Sequence, residues 1–143
     1  MSWIWIGKTM TDIEKNLLKI DLCCRLPYNV KVHAKYTDLG ETIELDGIVK
    51  MIDADGVVGI EVMYDSSSSY ICVDIDDVKP YLFPLPSMTE EQKKELQSLI
   101  IQDAFGTSDN TFTTQDFYCK YHLDYRGLSE RNLANNADGL NIY

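Results

Sequence analysis

The sequence offers little to catalysis or to metal binding. Its two histidines, His33 and His122, are far apart, and Cys23, Cys24, Cys72 and Cys119 form no Cys-x-x-Cys pair. A zinc site needs such ligand spacing, so no metal and no cofactor are expected. The same cysteines lack the spacing of a secreted disulfide framework, and adjacent Cys23 and Cys24 pair poorly with each other, so reduced, mostly buried thiols are expected. Ser66 to Ser69 has neither a Gly-x-Ser-x-Gly elbow nor the lysine of a phosphate loop. Asp53-Ala54-Asp55-Gly56 has part of a calcium loop, but Met51 holds the first ligand position and Tyr64 the twelfth, which excludes an EF-hand. No catalytic residues are assigned, and an enzyme is not expected.

Long apolar runs are absent as well. Nothing approaches the roughly 18 residues of a membrane span, and Met1 to Ile6 is too short for a span or a signal-peptide core. A soluble, cytoplasmic protein is expected. Positive charge is scarce, 13 Lys and Arg against 23 Asp and Glu, a net of −10. Between Tyr28 and Pro86 there are 11 acids and 4 bases. Nucleic-acid affinity comes largely from cations neutralising phosphates, so generic nucleic-acid binding is disfavoured. A basic partner or mimicry of nucleic acid fits the sign, as does simple solubility.

What the chain does contain is one domain's worth of ordered pattern: 143 residues, 45% of them hydrophobic, enough for a core. A single domain over 1-143 is expected, with an N-terminal helix in 1-27, a β-barrel in 28-86, and a helical part and tail in 87-143. Val30, Val32, Ala34 and Tyr36 alternate with Lys31, His33 and Lys35, the period of a half-buried strand. Thr42 to Ile52 continues the pattern, with Gly47 as a bend or bulge. Asp53 to Gly56 reads as a tight turn, and Val57 to Tyr64 as the returning strand. Tyr70 to Ile75, a 3₁₀ turn over Asp76 to Pro80, and Tyr81 to Phe83 complete five strands. The expected fold is α+β: a small SH3-like β-barrel flanked by one N-terminal and two C-terminal helices, with an irregular C-terminal tail.

The helices are announced by their caps. Thr11 and Glu14 make a capping box, followed by an apolar stripe of Ile13, Leu17, Ile20 and Cys24, and Leu26-Pro27 ends that helix. Ser87 and Glu90 suggest a second box, before a helix over about Thr89 to Ala104. Thr113 and Asp116 suggest a third, with Phe112 and Phe117 at hydrophobic-staple positions, before a helix ending near His122. Leu123 to Tyr143 reads as irregular chain with a turn or two of helix around Ser129 to Asn135. Trp3 and Trp5 suit either a core plug or an interface.

Three ordered stretches carry a resemblance: Asp21-Leu22-Cys23-Cys24-Arg25-Leu26-Pro27-Tyr28-Asn29-Val30-Lys31, then Lys79-Pro80-Tyr81-Leu82-Phe83-Pro84-Leu85-Pro86-Ser87-Met88-Thr89-Glu90-Glu91, then Asp124-Tyr125-Arg126-Gly127-Leu128. Together they resemble a family of small proteins encoded by gut Bacteroidales and their phages and mobile elements, and the likeness spans almost the whole chain. The family has no assigned activity, so the resemblance implies a setting and no reaction. This chain departs from it at Asn29 and Asn132, where such proteins usually have Gly. Asn is the residue that best replaces Gly at positive φ, so an unchanged backbone is expected.

Two functional readings follow. The first is a non-catalytic binding or accessory protein of a phage or mobile element, contacting another macromolecule, in the main a protein, through an acidic barrel surface. The second is a small-ligand, nucleotide-like binder. His122-Leu123-Asp124-Tyr125-Arg126 gathers four functional groups in five positions; Arg126 would grip a phosphate or carboxylate, Tyr125 would stack on a ring, and Arg131 would assist. The structural alternative is an Asp124–Arg126 ion pair that pins the tail while Tyr125 packs. An exposed edge strand would allow a homodimer.

Overall fold

The computed structural model describes residues 10–62, 69–106 and 112–143; Trp3, Trp5 and Ser66 lie outside them. These residues fall into two compact units, divided between Pro80 and Tyr81.

The first unit opens with α1 (Asp12–Arg25), where the expected Thr11–Glu14 capping box is complete. The face it buries differs from the expected stripe. Leu18, Asp21, Leu22 and Arg25 are buried, whereas Ile13 is 77% and Ile20 46% exposed. Leu18, Asp21 and Arg25 each follow an expected position by a single residue, so the buried face is turned by about 100° from the apolar reading. An ion pair lies on the buried face. Arg25 Nε donates to Asp21 Oδ2 at 2.7 Å, and both side chains are fully buried. Two charged residues on the core side made that side look polar in sequence.

After a 3₁₀ turn (Leu26–Tyr28), four antiparallel strands follow: β1 (Lys31–Asp38), β2 (Glu41–Ile52), β3 (Val57–Val62) and β4 (Tyr70–Asp74). A second 3₁₀ turn (Ile75–Asp77) leads into β5 (Val78–Leu82), whose first three residues pair antiparallel with β1. Val32, Ala34, Val49, Val58, Ile60 and Val78 carry the alternation inward and are buried. Gly47 lies inside β2 rather than at a bend; a Cβ there would come within 2.6 Å of the Glu61 carbonyl oxygen, so only glycine lets β3 approach. The register shift falls instead between Val49 and Met51.

The strand order is β4-β3-β2-β1-β5-β6, where β6 is Asn135–Asn136. The α+β class, with one helix ahead of the strands and two after them, is present. A barrel closed by strand pairing is not: the order has two ends, and the sheet is open. Closure needs hydrogen bonds between the outer strands, and no β4–β5 ladder forms among the described residues.

The second unit begins with the last residues of β5. Tyr81 and Leu82 pair in parallel with the two-residue strand β6 (Asn135–Asn136), and Phe83 exchanges backbone hydrogen bonds with His122 and Asp124. The tail is irregular, as expected, apart from this two-residue strand. Helix α2 (Glu90–Ala104) is capped by Thr89 and Gln92, two residues beyond the box read from sequence, because Ser87 closes a 3₁₀ turn (Leu85–Ser87). Helix α3 (Thr114–Lys120) has the expected Thr113–Asp116 box. Phe117, Leu123, Leu128 and Leu133 are buried in this unit. Among the described residues no helix is long and apolar enough to cross a membrane.

Candidate functional site

Asn29 at φ 57° and Asn132 at φ 60° both adopt the left-handed backbone. Each terminates a turn that a β-branched residue would strain. Backbone chemistry therefore accounts for both positions.

The Tyr125 region is built from local contacts of the second unit. His122, at φ 56°, closes α3 in a Schellman arrangement: its N–H reaches the Cys119 carbonyl at 3.2 Å, and the Leu123 N–H reaches Tyr118 at 2.8 Å. Its ring stacks on Tyr143 at 3.7 Å. Asp124, buried, accepts from the backbone N–H groups of Leu128 at 2.8 Å and Ser129 at 2.9 Å. The carboxylate thus organises the following turn. Tyr125 stacks on Tyr118 at 4.9 Å, with the Arg126 guanidinium 4.9 Å from its ring. Tyr125 and Arg126 are brought together; Arg131 is exposed on the next turn, and no contact places it with them among the described residues.

The cysteines differ from expectation in burial. All are free thiols, yet only Cys119 is buried, while Cys23 and Cys72 are exposed. No group of three or more His, Cys, Asp and Glu is placed to hold a metal ion among the described residues.

Sequence reading missed a groove in the first unit. About 550 Å³ in volume, it runs between the first turns of α1 and the β2–β3 turn, lined by Asp12, Ile13, Lys15, Lys19, Asp55 and Ile75, among others. The β2–β3 turn is self-braced: Asp53 Oδ1 accepts from the N–H groups of Asp55 and Val57, each at 2.9 Å. The Ile75 N–H donates to the Gly56 carbonyl at 2.9 Å and ties the turn to the end of β4. Five aspartates, Asp53, Asp55, Asp74, Asp76 and Asp77, therefore gather at one end of the sheet. Asp77 reports the density of charge: its carboxyl is pushed above the ordinary range by burial, and further by Asp74 and Asp76. Two lysines answer. Lys15 Nζ lies 3.3 Å from Asp76, and Lys19 Nζ donates to the Ala54 carbonyl at 3.2 Å.

A second charged face lies along β1 and β2. His33 is directly opposite Asp46 in the ladder, with Nδ1 at 2.9 Å from that carboxylate and Nε2 at 3.2 Å from Glu44. Glu44 is held below its ordinary range by the His33 hydrogen bond, then by the charge of Lys35. Here Lys35 Nζ also lies 3.6 Å from Glu44, so cross-strand neighbours set acid against base on this face.

Comparison with protein-family models, curated proteins and solved structures found no match.

Proposed function

We propose that this is a non-catalytic binding protein, an accessory factor of a phage or mobile element of gut Bacteroidales, that contacts a host or phage protein in the cytoplasm through an acidic surface. The observation that carries this reading is the gathering of Asp53, Asp55, Asp74, Asp76 and Asp77 at one end of the sheet. Elsewhere on the sheet Lys35 pairs with Glu44 and Lys50 with Glu61 across strands, whereas here five aspartates gather and Lys15 answers Asp76. A concentrated negative patch repels phosphate backbones and speeds encounter with basic surfaces.

The five strands β1–β5 are read as SH3-like. In support, the order β4-β3-β2-β1-β5 is that of a meander whose last strand returns beside the first, with a 3₁₀ turn before it. The barrel would then be completed by side-chain packing instead of a hydrogen-bonded seam. The outer edge of β4 would be the place for pairing with a second copy.

The experiment is affinity capture from a Bacteroidales lysate by the immobilised chain, in parallel with Asp12→Asn/Asp55→Asn/Asp74→Asn. A protein retained by the native chain and lost by the variant supports the reading. Equal retention by both, or none by either, overturns it.

A second reading, a nucleotide-like ligand held by Tyr125, Arg126 and Arg131, draws on the stacking of Arg126 against Tyr125. Unchanged ligand affinity in Arg126→Ala would remove that role.

A further inference from the structure

We propose that the groove between α1 and the β2–β3 turn docks an extended segment of a partner protein, one carrying an apolar side chain beside a basic one. This rests on the reading of the protein as an acidic-surface binder and names the chemistry its partner must present.

Shape comes first. At about 550 Å³ the groove is of ligand-binding size, within the roughly 300–1,000 Å³ usual for such sites. Its wall at the β2–β3 turn is fixed. Gly56, at φ +87°, brings the turn so close to Ile75 that a Cβ would sit 3.3 Å from Ile75 Cγ2. Ile13 of α1 lines the groove too and is 77% exposed, because the buried face of α1 carries Leu18, Asp21, Leu22 and Arg25 instead. An amphipathic helix ordinarily hides such a residue; this one displays it beside a cavity.

Charge then selects the partner. Of the two lysines that line the groove, Lys15 is neutralised by Asp76 at 3.3 Å and Lys19 is held on the Ala54 carbonyl at 3.2 Å. Asp12, Asp55 and Asp74 also line it and outnumber the Lys19 ammonium, which keeps its charge on that carbonyl. A guanidinium or ammonium group entering beside an apolar side chain meets both complements at once. An acidic segment would meet like charge, which gives the groove its discrimination.

The test is a titration of the ¹⁵N-labelled full chain with a synthetic peptide of alternating leucine and arginine, and with its leucine–glutamate counterpart. The basic peptide should shift the amides of Lys19, Ala54, Gly56 and Ile75 saturably, and the acidic one should leave them in place. Asp55→Asn with Asp12→Asn should weaken binding on the order of tenfold. Ile13→Ser, which removes no charge, should weaken it too, separating apolar recognition from charge attraction alone; melting curves confirm that these exposed substitutions leave the fold intact. Equal shifts with both peptides, no shift with either, or an unchanged affinity in Ile13→Ser overturns the groove assignment. Shifts that map instead to the His33–Asp46 face overturn it too, while leaving the acidic-surface reading standing. Loss of capture by the aspartate variant and the mapped peptide site thus fail independently.

Discussion

Asp21 and Arg25 face the core of the first unit one helical turn apart, joined by a 2.7 Å bond and both fully buried. A carboxylate one turn ahead of a guanidinium is the favourable order on a helix, but burial changes what the pair is worth. Desolvating both ions costs about as much as their attraction returns, whereas removing one leaves a charge stranded. Arg25→Met should therefore lower stability by roughly 3–5 kcal/mol, and Asp21→Leu combined with Arg25→Met should recover most of that loss. Urea unfolding of the two variants decides it. A double variant as unstable as the single would mean that the pair does more than balance itself.

Leu39 sits at the tip of the β1–β2 hairpin at φ 51°, followed by Gly40 at φ 80°. A two-residue hairpin with both angles positive favours Asn-Gly, and leucine in this region is strained by about 1–2 kcal/mol. Leu39 is also 98% exposed, so it gains nothing by packing. Leu39→Asn should stabilise the chain by about 1 kcal/mol in thermal unfolding. By the same reasoning Asn29→Gly and Asn132→Gly should be nearly neutral, and Asn132→Ala should destabilise measurably.

Two carboxylates should give pH dependences of opposite sign. Glu44 is held low by His33 and Lys35, so its contribution is present above the unfolded-state value and lost as pH falls through the lower folded one. Asp77 is raised by burial and by Asp74 and Asp76; its charge opposes folding, and the penalty grows as pH rises from the unfolded value through the folded one. Asp77→Asn should thus raise the melting temperature at neutral pH, with the gain vanishing in acid. Glu44→Gln should lower it at neutral pH, with the loss vanishing in acid. The four melting curves test both signs.

The tail offers a further prediction. The Asp124 carboxylate holds the Leu128 and Ser129 N–H groups, and a buried carboxylate bond of this kind is worth roughly 1.5–3 kcal/mol. Asp124→Ala should cost about that much in denaturant unfolding. It should also raise amide exchange at Leu128 and Ser129 before it does so at the α3 amides.

How much of this was legible from the sequence follows the physics of each element. The strands were readable because Val32 and Ala34 alternate with Lys31 and His33, and the helix starts because Thr11 and Thr113 have partners three residues on. The orientation of α1 was not, since periodicity counts apolar residues and the core face carries Asp21 and Arg25. Nor was the open sheet, because local pattern says where strands are and little about how the outer ones meet. Of the candidate site residues, Tyr125 and Arg126 are adjacent in the chain, but the stack of Tyr125 on Tyr118 depends on a helix seven residues away. The groove depends on the rotation of α1 and on the Ile75–Gly56 bond, neither of which is local.

The most direct measurement is native mass spectrometry of the chain purified gently from a Bacteroidales lysate, beside Asp12→Asn/Asp55→Asn/Asp74→Asn. The account predicts that the native chain retains a protein, that raised salt releases it, and that the variant emerges bare. A native chain that emerges bare, or that keeps only a small molecule of a few hundred daltons, would contradict it.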